Sequence, residues 1–128
     1  MNFSGQEENI RTKSDITLME DRWEVVCHGP FQRTDVLSLV DAIFGSADTQ
    51  PEFKKCLVDF REAEINLGIM GEFIIGEYAA KKLAGIRIAL IQGQGQVKKL
   101  LEDTAYNRGL RIQMVENRQD ALDCLNKQ

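Results

Sequence analysis

The chain has 128 residues, 43 % of them hydrophobic, and a formal charge of −4. That length supports one domain burying about 65–70 % of its unfolded surface and is too short for two. Lys and Arg are scattered rather than clustered, which argues against nucleic acid as a partner, and no apolar run approaches the roughly 20 residues needed to cross a bilayer.

The start, Met1 to about Ser14, is polar and aperiodic, without the apolar core of a signal peptide. The expectation is a flexible tail over 1–14, followed by a single domain over 15–127 in a cytoplasmic protein. Cys27, Cys56 and Cys124 are far apart, each inside an apolar pattern, with no Cys-x-x-Cys and no His in a ligand rhythm. They read as core thiols in a reducing compartment.

Ile16–Met19 and Trp23–His28 are β-rich runs separated by Glu20-Asp21-Arg22, a spacer short enough for an antiparallel hairpin. Alternation puts Trp23, Val25 and Cys27 on one face, and Gly29-Pro30 is expected to end the strand. From Arg33 to Ala47, Val36, Leu37, Val40, Ile43 and Phe44 recur at helical spacing, with Thr34 as N-cap, Asp35 in the first turn and Gly45 as terminator. A loop over Ser46–Pro51 leads to Cys56-Leu57-Val58-Asp59-Phe60, whose unbroken apolar character suits a strand covered on both faces. A charged corner, Arg61-Glu62-Ala63-Glu64, is expected next.

Ile69–Leu83 reads as a helix carrying two apolar rows. Ile69, Phe73, Gly76, Ala80 and Leu83 form the natural core stripe, and Met70, Ile74 and Tyr78 form a second row that a core-facing helix does not need. Ile86–Ile91 is the next strand. Gln92-Gly93-Gln94-Gly95 turns it into a helix with Val97, Leu100, Leu101, Thr104 and Ala105 on one face, ended by Gly109 in the left-handed position. Leu110–Val115 alternates like a strand, and Asn117 caps a final helix with Ala121, Leu122 and Leu125 inward. The order β-β-α-β-α-β-α-β-α implies an α/β domain on a single mixed sheet, an antiparallel hairpin first and parallel strands after it.

Ligands of open parallel sheets sit beyond the carboxyl ends of the strands, which here means Asp59–Glu64 and Gly93–Gln96. Asp59 has no second carboxylate or His at motif spacing, Gly93-x-Gly95 lacks the third glycine and the lysine of phosphate-binding loops, and His28 lacks a nucleophile. Glu62 and Glu64 read as solvated charges, and Tyr106 and Arg108 need no special role. No catalytic set, metal or cofactor is expected. The row Met70-Ile74-Tyr78 is the anomaly: it is covered by a neighbouring segment, or it docks a partner or a second copy, or it walls a pocket for an apolar molecule.

This element order, with Leu57-Val58-Asp59-Phe60-Arg61-Glu62-Ala63, Arg87-Ile88-Ala89-Leu90-Ile91, Asn107-Arg108-Gly109 and the closing Asn117–Leu125 pattern, resembles the SpoIIAA-like branch of the STAS superfamily of bacterial regulators, relatives of the CRAL-TRIO lipid carriers. The resemblance implies a non-enzymatic regulatory or protein-interaction domain. Its working surface would be the corner after the central strand, with Asp59, Arg61 and Glu62, and the helix that follows, with Met70, Ile74 and Tyr78. The implied partner is a protein or a second copy in a homodimer, the alternative a small apolar, lipid-like ligand. Phosphoregulated members carry a serine at this corner. Here Glu64-Ile65-Asn66-Leu67-Gly68-Ile69-Met70-Gly71 offers no Ser, Thr or Tyr, so added charge there cannot be the switch.

Overall fold

The computed structural model describes residues 11–92, 103–104 and 108–127. Five strands, β1 (Lys13–Met19), β2 (Arg22–Phe31), β3 (Lys55–Ile65), β4 (Arg87–Ile91) and β5 (Arg111–Val115), form one sheet in chain order. β1 and β2 pair antiparallel, and every later pair is parallel. α1 (Arg33–Thr49) connects β2 to β3, α2 (Gly68–Lys82) connects β3 to β4, and α3 (Arg118–Leu125) closes the chain. The expected mixed sheet is therefore present. Of the helix expected between β4 and β5, only Asp103 and Thr104 are described, and both are helical. The remainder of that helix, and residues 1–10 of the expected tail, lie outside the described residues, while β1 begins at Lys13.

β3 is buried on both sides, which is why its sequence runs apolar without alternating. Cys56, Val58 and Phe60 join Val25, Cys27 and the inner residues of α1 and α2 on one face. Leu57 points the other way, into a smaller cluster with Ala89, Ile91, Val115 and the α3 residues Ala121 and Leu125. Burial pushes the Cys27 and Cys56 thiols up to about 12, so neither ionises at neutral pH. Cys124 is half-buried and also free of a disulfide.

Two expected strand ends are overrun. β2 continues through Gly29-Pro30 to Phe31 because its ladder with β1 ends at His28, so the missing N–H of Pro30 costs no bond on that side. The Thr12 hydroxyl donates to the Pro30 carbonyl there. Gly29, at φ +86°, lets the Arg11 carbonyl pass where a Cβ would stand 2.2 Å from its oxygen. The charged corner at Arg61–Glu64 is also strand: β3 runs to Ile65 with a bulge, Val26 facing Asp59 but His28 facing Glu62. The extra residue resets the alternation, so Arg61 and Glu62 are both exposed before Ala63 and Ile65 turn inward again.

In α1 the buried stripe is Val36, Leu39, Val40, Ile43 and Ala47, with Leu37 only half-buried and Phe44 exposed. Its start is organised by Asp35, whose carboxylate accepts the Gln32 N–H at 2.8 Å, so Gln32 and not Thr34 is the cap. Gly45 sits inside the helix, which packing carries on to Thr49. Asn117 caps α3 as expected, accepting the Asp120 N–H at 2.8 Å, and Gly109 has φ +96°.

The second face of the sheet also holds a buried charge. Glu24 is 6 % exposed. Arg118, at the start of α3, donates to both its oxygens at 2.9 and 2.8 Å, and Arg22 adds a bond at 2.7 Å. This ties α3 to β2, the strand next to β3 that adds no side chain to the apolar cluster beneath that helix. The bonds from Arg118, opposed by burial and reinforced by Arg22, hold the Glu24 carboxyl below its usual range. A folded-state value below the unfolded one means stability that is complete above the unfolded value and lost as pH falls through the folded one. Thermal melts across the acid range are expected to show a steeper loss of stability for wild type than for Glu24→Gln. Arg118→Ala should cost about 2–3 kcal/mol by urea unfolding at neutral pH. Gly29→Ala should lower the melting temperature through the clash with Arg11.

Candidate functional site

β3 leaves the sheet through only Asn66 and Leu67 before α2 begins, and the Asn66 N–H donates to the Phe31 carbonyl at 3.2 Å. That bond locks the exits of β2 and β3 together, so α1 and α2 start side by side at the carboxyl ends of parallel strands, where open α/β sheets place ligands. α2 turns a small-residue face inward: Gly71, Ile75, Gly76, Ala79 and Ala80 are buried, together with Glu72. The expected core stripe is thus only half correct. Gly76, Ala80 and Leu83 are buried, but Ile69 is 76 % and Phe73 37 % exposed. Small side chains bring the helix backbone close to the core, and the two bulky residues at its start are rotated outward.

The row Met70-Ile74-Tyr78 divides along the helix. Met70 is 63 % exposed and, with Ile69 and Phe73, forms an apolar cluster on the first two turns. Ile74 is half-buried. Tyr78 belongs to the seam with α1, where its hydroxyl donates to Asp41 and Lys82 lies over both its ring and that of Phe44, 5.9 and 4.6 Å from their centroids. Lys82 also pairs with Asp41 at 3.5 Å. Arg33 reaches the first turn of α2, where a Cβ on Gly71 would lie 3.4 Å from its Nε.

Asp59, Arg61 and Glu62 are not part of this cluster. Val58 and Phe60 point towards α1 and α2, so Asp59 points to the face of α3, and the single surface expected from sequence is split by the sheet. Arg61 doubles back over the bulge to grip Asp59, donating from Nε at 3.0 Å, Nη2 at 2.8 Å and its own backbone N–H at 2.9 Å. Burial raises the Asp59 carboxyl, but the Arg61 bonds and the charges of Arg61 and Arg118 outweigh it and hold the group below the usual range. A carboxylate so occupied is a structural anion rather than a base. Glu62 is exposed.

His28 stays within β2, opposite Glu62. Arg108 pairs with Glu77. Gly93–Gln96 and Tyr106 lie outside the described residues, and among the described residues no three His, Cys, Asp or Glu side chains converge on a metal position. An apolar cavity of about 50 Å³ lies between α1, α2 and the sheet, and none of Met70, Ile74 and Tyr78 lines it. Sequence reasoning missed the roles of Asp41, Arg33 and Glu24, because a lone charged residue in a periodic pattern carries no sign of its partner across the fold.

No family model and no curated protein matches the chain. Solved structures do. The anti-sigma factor antagonist SpoIIAA in its unphosphorylated form superposes with a TM-score of 0.55 at 10 % identity, over 87 % of this chain and 96 % of that one. The Bacillus cell fate determinant SpoIIAA in its phosphorylated form gives 0.52 at 11 % identity, over 87 % and 97 %. A DUF3478-family protein of Shewanella loihica with a SpoIIAA-like fold gives 0.53 at 20 % identity, over 89 % and 93 %. The fold is SpoIIAA-like. No helix among the described residues is long and apolar enough to cross a membrane. Because Arg61 supplies most of what holds Asp59 ionised, Arg61→Ala should shift the Asp59 titration, followed by carboxyl carbon NMR, to higher pH.

Proposed function

We propose that this chain is a non-enzymatic, protein-binding regulatory domain of the cytoplasm that works through the first two turns of α2. One observation carries the reading: Ile69, Met70 and Phe73 stand exposed together where the central strand delivers the chain into a helix. Solvent-facing apolar clusters of this kind mark contact surfaces. The fold supports it, since a structural neighbour is an anti-sigma factor antagonist, a protein whose description implies a protein target. SpoIIAA is known in phosphorylated and unphosphorylated forms. This chain has no hydroxyl side chain from Glu64 to Gly71, so its contact is not switched by phosphorylation at that junction.

The site proposed from sequence therefore moves. Met70 is kept, Ile69 and Phe73 replace Ile74 and Tyr78 as the exposed members, and Asp59, Arg61 and Glu62 form a separate patch on the other face. Met70→Glu combined with Ile69→Glu should leave the unfolding free energy within about 1 kcal/mol of wild type, as surface changes do. The same pair should remove whichever association the domain makes: self-association by light scattering over a concentration series, or the proteins captured from cells relative to wild type. An identical oligomeric state and an identical captured set for wild type and variant would falsify the reading.

A further inference from the structure

Cations that are scattered along the chain meet at the amino ends of the parallel strands. Lys55, Arg87 and Arg111 are the first residues of β3, β4 and β5, and the register sets Lys55 beside Arg87 and Arg87 beside Arg111. Each stands an even number of positions before Leu57, Ala89 or Val115, so all three point to the face that carries α3. Neighbouring strands are about 4.8 Å apart, so like charges stand side by side in one row and repel. Among the described residues only Lys55 has a carboxylate partner, Asp21 at 3.1 Å. Arg87 donates from Nη1 to the carbonyls of Leu125 and Lys127 at the end of α3, which steadies its guanidinium, and its Nε and Nη2 make no hydrogen bond to a described residue.

Two open hollows meet at Arg87. Lys54, Lys55 and Lys127 line one of about 450 Å³, Arg111 and Gly109 line the other of about 390 Å³, and Arg87 and Gly85 line both. Among the described residues no acidic side chain lines either. A Cβ built on Gly85 or Gly109 would meet nothing within 4 Å, so backbone is bare in each hollow. With Lys55 set against Asp21, the charges of Lys54, Arg87, Lys127 and Arg111 remain. Two phosphate groups, at about −1.5 to −2 each, match that charge, and two carboxylates do not. Phosphate oxygens also fit the planar guanidinium fork. We propose that the amino end of the sheet binds a compound carrying two phosphate groups, one in each hollow, with the Arg87 guanidinium between them. The site lies at the end of the strands opposite the Ile69-Met70-Phe73 surface and is independent of it.

The test titrates full-length protein with pyrophosphate and with orthophosphate, at matched ionic strength and without divalent cations, following the amide resonances of Gly85 and Gly109. Pyrophosphate is expected to shift both and to bind about tenfold tighter than orthophosphate, the difference one further charge-assisted contact makes. Arg111→Gln and, separately, Lys54→Gln each remove a cation from one hollow and should weaken pyrophosphate about tenfold. Both side chains are exposed, so the melting temperature should hold. Lys13→Gln removes the same charge from β1, away from the hollows, and should leave the affinity unchanged. Pyrophosphate that moves neither glycine amide, that binds no tighter than orthophosphate, or that loses as much affinity to Lys13→Gln as to Arg111→Gln overturns the site.

Discussion

Everything in this fold depends on β3 having no free face. Cys56, Val58 and Phe60 are enclosed by α1 and α2, and Leu57 is enclosed by α3, so the strand fixes both layers at once. A strand buried on both faces is stabilised by apolar area on each side, at about 25 cal/mol per Å² removed from water. It is also the element least able to shift register, since a slip of one residue would exchange its two faces.

The bulge between Phe60 and Arg61 is the one place where that register is deliberately broken. Before it the strand serves the core. After it, Arg61 folds back on Asp59 and the chain resumes inward alternation through Ala63 and Ile65, arriving at Asn66 in line with Phe31. The first turn of α2 inherits its position from this sequence of constraints. Exposed apolar residues held on such a rigid lead-in need little ordering on binding, which keeps the entropic cost of association low.

The mixed sheet with its antiparallel hairpin, the cap at Asn117, the left-handed Gly109, the buried thiols of Cys27 and Cys56 and the doubly covered strand were all legible in the sequence, because each rests on local periodicity or on a residue with one dominant conformational use, whereas Cys124, read as a third core thiol, is only half-buried. What failed depended on partners distant in the chain. A proline stops a strand only where a neighbour needs its N–H, and beyond His28 none of the β1 ladder remains to ask for it. The charged run Arg61–Glu64 reads as a corner, yet a bulge lets a strand carry two exposed residues in succession. For α2, ranking by bulk chose Ile69 and Phe73 for the core, whereas close packing selected Gly71, Ile75 and Ala79. Tyr78 looked like the end of a surface row because nothing in the sequence announces Asp41, 37 positions earlier, as its partner.

The site was legible as a location and not as a constellation. The helix after the central strand was singled out for carrying more apolar surface than a core requires, and the excess is real at Met70. The charged residues of the strand itself were drawn into the same surface only because sequence proximity hides which side of a sheet a side chain occupies. Site-specific photo-crosslinking tests the central claim most directly, with a benzophenone side chain at position 70 in living cells and another at position 127, across the molecule, as control. The account expects a discrete adduct from position 70, with a protein or with a second copy of the chain, that position 127 does not give. Equal labelling at both positions, or no adduct from position 70, would contradict it.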